Sequence, residues 1–168
     1  MSTSIYIAVY SSPIAGQDWI KNRHTAIWVT FADGSYTLFG LQGIHGAFRY
    51  YERPQINPQV SDRFETLIKV ATVADESVSR DRILDQLRRT EINNEPQDTG
   101  DYDCRKWVSD ALANLGRIGC LTEAEREVAV DAMVDTLLKA RDEDSAFPFS
   151  IMINYGKGFI DLNWMFNL

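Results

Sequence analysis

Cys104 and His24 are the residues of this 168-residue chain whose chemistry and setting suit covalent catalysis. A thiol that attacks a carbonyl needs an imidazole within reach, to take its proton and later hand it to the leaving group. The chain offers two cysteines, Cys104 and Cys120, and two histidines, His24 and His45. Cys104 lies in the run DYDCRKWVSDALANL, residues 101–115, where Cys104, Trp107, Val108, Ala111, Leu112 and Leu115 recur at steps of three and four. That is the spacing of one buried helical stripe. Thr99-Gly100 before it is turn chemistry, and Asp101 or Asp103 supplies an N-cap acceptor. The thiol therefore falls in the first turn of a helix. Unpaired N–H groups and the helix dipole favour a thiolate there, Arg105 and Lys106 add to that bias, and the nearby aspartates oppose it. The N–H of Cys104 itself can help hold a developing oxyanion. Cys120, close to a helix start at Thr122, has no histidine tied to it and reads as structural.

The histidines sit in the strongest strand signal of the chain, HTAIWVTFADGSYTLFG, residues 24–40. Asp33-Gly34 predicts a two-residue type I′ hairpin turn. With Ala32 opposite Ser35, Trp28 faces Phe39 and His24 falls opposite Gly43. Alternation then puts His24, Ala26, Trp28 and Thr30 on one face with Thr37, Phe39 and Leu41. If the second strand continues past Gly43, His45 lands one pleat from His24, unless Gly40 and Gly43 introduce a bulge. Trp28 and Trp107 read as core residues packing the helix on the sheet. Gln17, Gln42 and Tyr6 are candidate oxyanion donors.

Further strands are predicted over residues 4–10, 47–53 and 64–74, with a loop over 14–23 and another from Pro54 to Asp62. A helix runs from Ser77 or Ser79 to Arg88, with Val78, Ile83, Leu84 and Leu87 facing inward. The Cys104 helix ends at Leu115, with Gly116 as its C′ residue. Thr122 and Glu125 form a capping box that opens a helix reaching about Arg141, with Lys139 and Arg141 in its last turn. The segment 145–168 is an aromatic tail that can form strands, cover a cleft or contact a second copy of the chain.

Composition narrows the function classes. The length fits one domain with its own core, spanning residues 1–168. Seventeen basic against 24 acidic residues leave a net charge of −7, which argues against a nucleic-acid surface. No metal-ligand spacing, cofactor motif, signal peptide or membrane-length apolar run is legible, so a cytoplasmic protein acting on a small-molecule or peptide substrate without a cofactor is expected. The fold class expected is α+β, an antiparallel sheet packed against the helix that carries Cys104.

The runs SIYIAVYSS, HTAIWV, the acidic-Gly turn, YTLFG and GI, followed by YDCRKWV, resemble the PPPDE group of permuted papain-like thiol peptidases. They resemble more distantly the NlpC-type and lecithin–retinol-acyltransferase-type proteins. The resemblance covers roughly residues 4–45 and 99–116. It implies a permuted papain-like fold, a histidine base at a strand start and a cysteine nucleophile at a helix start, which here are His24 and Cys104. That group usually has Asn-Cys-Asn-His at the nucleophile, where this chain has Asp103-Cys104-Arg105-Lys106. The acyltransferase branch uses a second histidine, which makes His45 the candidate third group. The implied activity is hydrolysis or acyl transfer at an amide, isopeptide, ester or thioester through an acyl-enzyme. A small-molecule cyclase or acyltransferase with the same site, and a non-catalytic binding module that keeps the fold, are the alternatives.

Overall fold

The computed structural model describes residues 2–14, 16–74, 77–95 and 102–140. The tail over 145–168 lies outside them. Five strands form one antiparallel sheet: β1 (Ser2–Tyr10), β2 (His24–Thr30), β3 (Tyr36–Gln42), β4 (Arg49–Pro54) and β5 (Phe64–Ala74), in the spatial order β4-β3-β2-β1-β5. Three helices follow: α1 (Arg80–Arg88), α2 (Cys104–Arg117) and α3 (Glu123–Leu137). The protein is thus α+β. Among the described residues no helix is long and apolar enough to cross a membrane, and no cluster of three or more His, Cys, Asp or Glu side chains is placed to hold a metal.

Local chemistry explains where the helices begin. Ser79 caps α1 by accepting from the Arg82 N–H, and Thr122 with Glu125 forms the reciprocal capping box that opens α3. Asp103 caps α2, its carboxylate accepting from the Arg105 and Lys106 N–H groups. The ends differ from expectation. Helix α2 runs past Gly116 to Arg117, because Gly119 takes the left-handed conformation (φ +84°) that Gly116 was expected to provide. Helix α3 stops at Leu137, so Lys139 lies beyond its last turn.

Strand alternation divides the side chains between two faces. One face carries Ile5, Ile7 and Val9 of β1, Ile27 and Val29 of β2, and Phe39 and Leu41 of β3, packed against Trp107, Val108, Ala111, Leu112 and Leu115 of α2 and the inward residues of α1 and α3. The other face holds a smaller cluster of Ala8, Tyr10, Ala26, Leu38 and Tyr51, flanked by Trp28 and Phe64. Trp28 therefore packs on the side away from α2, its Nε1 donating to the Ile56 carbonyl at 3.1 Å. Trp107, fully buried under the sheet, takes the core position expected of it.

The β2–β3 hairpin corrects the expected register by one residue. Ile27 pairs with Phe39, Trp28 with Leu38 and Thr30 with Tyr36. The Gly34 N–H donates to the Phe31 carbonyl at 2.9 Å and the Phe31 N–H to the Ser35 carbonyl at 2.8 Å, so Ala32, Asp33 and Gly34 form a three-residue loop. Gly34 alone has positive φ (+82°), whereas a type I′ turn needs two such residues. A one-residue slip moves every β3 side chain to the other face. Leu38 and Gly40, and not Phe39 and Leu41, accordingly share the face of His24 and Ala26.

Candidate active site

Pairing between β2 and β3 stops at Ile27 and Phe39, although both strands continue: β2 back to His24 along β1, and β3 on to Gln42 along β4. The two strands part at this end of the sheet, and a cavity of about 350 Å³ opens beside the parting. His24, Leu41, Gln42, Tyr51, Arg63 and Cys104 all line it. The opening explains how residues assigned to opposite faces come to one place. Cys104 arrives with α2 from one side, and His24 and Tyr51 from the other.

Cys104 is the first residue of α2. The Asp103 carboxylate engages the N–H groups of the next two residues, which leaves the Cys104 N–H as the first-turn amide without a partner among the described residues. The thiol packs against Thr25, itself fully buried, whose hydroxyl has no conventional hydrogen-bond partner among the described residues and faces the sulfur. Burial pushes the Cys104 pKa above its ordinary value, the Asp103 carboxylate pushes the same way, and the Thr25 hydroxyl and backbone with the Arg105 charge pull back less strongly. The balance left open by sequence thus falls on the side of the neutral thiol. Arg105 does little for a thiolate because its guanidinium is tied to Asp103. Cys120 is buried, free of any disulfide, and pushed up to about 11 by desolvation and away from every histidine contact described.

His24 opens β2 on the face away from α2, between the rings of Tyr10 (5.9 Å between centroids) and Tyr51 (6.3 Å). Its Nε2 lies 3.1 Å from the Tyr51 hydroxyl, and its Nδ1 makes no hydrogen bond among the described residues. Burial, followed by the Arg63 and Arg53 charges, lowers its pKa from 6.5 to about 4, against a smaller upward pull from Asp103. At neutral pH the ring is therefore uncharged and free to accept a proton. No hydrogen bond joins it to Cys104 among the described residues; the two meet as walls of one cavity.

Tyr51 is the member that sequence reasoning missed. Its ring lies across Gly40, its pairing partner on β3: a Cβ added at Gly40 would stand 2.7 Å from the Tyr51 hydroxyl oxygen. Glycine at position 40 is thus a clearance for the tyrosine that anchors His24. Its φ is unremarkable, so the constraint is purely steric. The Gly40→Ala variant is expected to lose about 1–3 kcal/mol in urea unfolding, the usual cost of forcing extra volume into a packed site. It is also expected to shift the His24 imidazole resonances as the hydrogen bond to Tyr51 breaks. The signal available in the sequence was the pairing of a glycine with a tyrosine once β3 and β4 are aligned.

His45 stands elsewhere than expected. Strand β3 ends at Gln42, Gly43 takes a φ of +120°, and a tight turn follows in which the Ala47 N–H donates to the Ile44 carbonyl at 2.9 Å. His45 is exposed on that turn at the cavity rim and bonded to neither His24 nor Cys104. Of the candidate oxyanion donors, Gln42 reaches the cavity, with its Oε1 accepting from Arg53. Tyr6 stacks on Trp28, and the Gln17 carbonyl accepts from Asn22.

Residues 5–122 match a family of unknown function (DUF6540). The chain belongs to that family. The matched segment of this DUF6540 protein runs from β1 to the N-cap of α3 and holds His24, Tyr51, Arg63 and Cys104. No curated protein and no solved structure matches the chain.

Proposed function

We propose that this DUF6540 protein is a cysteine-dependent acyl-transfer enzyme or hydrolase with a permuted papain-like arrangement, in which Cys104 is the nucleophile, His24 the base and Tyr51 the group that orients the base. The observation that carries the reading is the shared cavity: a helix-start thiol and a tyrosine-anchored neutral imidazole both line the same cleft. Tyr51 takes the third position that resemblance assigned to His45.

With Nε2–H donating to the Tyr51 oxygen, Nδ1 holds the lone pair and faces the thiol's task. The Cys104 sulfur attacks an acyl carbon as its proton passes to Nδ1. The bond to the leaving group then breaks, the imidazolium returns the proton to that group, and a thioester acyl-enzyme remains. Water or an amine releases the acyl group by the same steps in reverse order of proton movement. The Cys104 N–H, without a partner among the described residues, serves as the oxyanion donor in this reading. Because thiol and imidazole both rest uncharged, proton transfer accompanies attack, and no standing thiolate–imidazolium pair precedes it.

Incubation with p-nitrophenyl acetate tests the proposal. Cys104 is expected to be acetylated at neutral pH faster than Cys120 and faster than a free thiol, as read by peptide mass spectrometry, and Cys104→Ala is expected to release p-nitrophenol at the background rate. Acetylation of Cys104 no faster than a free thiol would leave a binding module that keeps the fold.

A further inference from the structure

We infer that the acyl donor of this site carries a carboxylate, received by Arg63; the inference rests on the thiol reading just given. The chain is acidic, with a net charge of −7, yet Arg63 lines the cavity with Cys104 and His24 and its guanidinium has neither an ion pair nor a hydrogen bond among the described residues. The other charges lining the cavity are engaged. Arg23 is held by Asp18 at 3.0 and 2.5 Å and donates to the Thr136 carbonyl at 2.9 Å. Asp103 is occupied by Arg105 and by the cap of α2, and Lys21 lies 5.2 Å over the Trp19 ring.

Arg63 is also fixed at its root. Its carbonyl accepts from the Ser11 N–H at 2.8 Å and the Ser11 hydroxyl at 3.2 Å, and its N–H donates to the Ser61 hydroxyl oxygen at 3.3 Å. The guanidinium thus springs from a pinned backbone at the sheet end that holds His24, and its charge is felt by the buried rings of Tyr10, His24 and Tyr51. A cation in a partly desolvated cavity gains most from an anion that satisfies its donors, and the planar fork of arginine matches a carboxylate in bidentate fashion. One unengaged cation suits a monoanion better than a phosphate. A donor of this class places its carboxylate at Arg63 and its acyl carbon at Cys104.

Competitive alkylation separates this inference from the one it rests on. The Cys104 sulfur attacks the CH2 carbon of iodoacetate and of iodoacetamide alike, forming the S–C bond as iodide leaves and as the thiol proton passes through His24 to solvent, so the ratio of the two rates cancels any change in thiol ionisation. At Cys104 the iodoacetate-to-iodoacetamide ratio is expected to exceed that of N-acetylcysteine by roughly 3- to 10-fold and to fall with added salt. Arg63→Gln is expected to return the ratio to the free-thiol value, Arg63→Glu to push it below, and Arg63→Lys to keep part of the excess. A ratio that ignores Arg63→Gln overturns the carboxylate inference, as does protection of Cys104 by inorganic phosphate at lower concentration than by acetate. If p-nitrophenyl acetate acylates Cys104 while the ratio stays flat, the thiol reading survives alone. If acylation fails while the ratio responds to Arg63, an anion-binding site remains without the enzyme. A Cys104 that neither reagent reaches overturns both.

Discussion

Acylation of Cys104 by an activated ester is expected to be nearly independent of pH from about pH 5.5 to about pH 8 in the wild-type protein, and to become strongly pH-dependent when His24 is replaced by Gln. The active form of the base is the neutral imidazole. Burial and the Arg63 and Arg53 charges lower its pKa to about 4, so the neutral form is fully present throughout that range and is lost only as the pH falls through about 4. The thiol is shifted the other way, above its ordinary 9.0, so without a base only a small thiolate fraction reacts. In His24→Gln the rate should therefore climb about tenfold per pH unit towards the alkaline side, following thiol ionisation. At neutral pH it should lie about 10²–10⁴-fold below wild type, the usual contribution of a positioned general base. Stopped-flow release of p-nitrophenol across the pH range reads both features. A wild-type profile that climbs with the same slope as the variant would show that His24 takes no proton from Cys104. Tyr51→Phe removes the partner of Nε2 and keeps the ring that fills the space over Gly40, so its smaller loss of rate separates orientation of the base from packing.

Elements set by short-range chemistry were legible before any coordinates. The caps of α2 (Asp101 or Asp103, of which Asp103 serves) and of α1 (Ser77 or Ser79, of which Ser79 serves) and the Thr122–Glu125 box all act within four residues, and the apolar stripe from Trp107 to Leu115 has only one way to be buried. The hairpin shows where local rules run out. Asp33-Gly34 marks a turn, but whether one or two residues take positive φ decides between two loops of different length, and that choice moved the whole of β3 to the opposite face. His24 and Cys104 come to line one cavity through a geometry the sequence does not spell. It depends on β2 and β3 separating beyond Ile27 and Phe39, a property of two strands that each prefer their outer neighbours there. Tyr51 and Arg63 were invisible for a related reason. Each acts on His24 through space, at sequence separations of 27 and 39, and neither lies in a run with a pattern of its own. The sign of the Cys104 shift required burial, which no count of nearby charges supplies.

The largest expected loss of stability belongs to Trp107, and its chemistry makes the size of the loss depend on the replacement. The side chain is fully buried where the start of α2 meets the sheet, with the Tyr50 ring 5.8 Å away. Trp107→Ala removes the largest of the fully buried side chains and is expected to cost about 3–5 kcal/mol, because the sheet and helix cannot close over so large a void. Trp107→Phe should behave differently. The indole Nε1–H is buried without a hydrogen-bond partner among the described residues, and such a group costs about 1–3 kcal/mol in lost hydration. Phenylalanine gives up part of the packing and is relieved of that cost, so its net loss should stay below about 1.5 kcal/mol. Urea unfolding with an unchanged m-value reads the difference, and equal losses for Ala and Phe would mean that the indole N–H carries no penalty. The same pair of variants reaches the site. Trp107 lies one helical turn from Cys104 and packs the start of α2 into the core under the sheet, against Tyr50 of β4. Under conditions where both variants are folded, Trp107→Ala should therefore slow acylation of Cys104 more than Trp107→Phe does, since a sulfur whose supporting turn can shift spends less time in line with an acyl carbon.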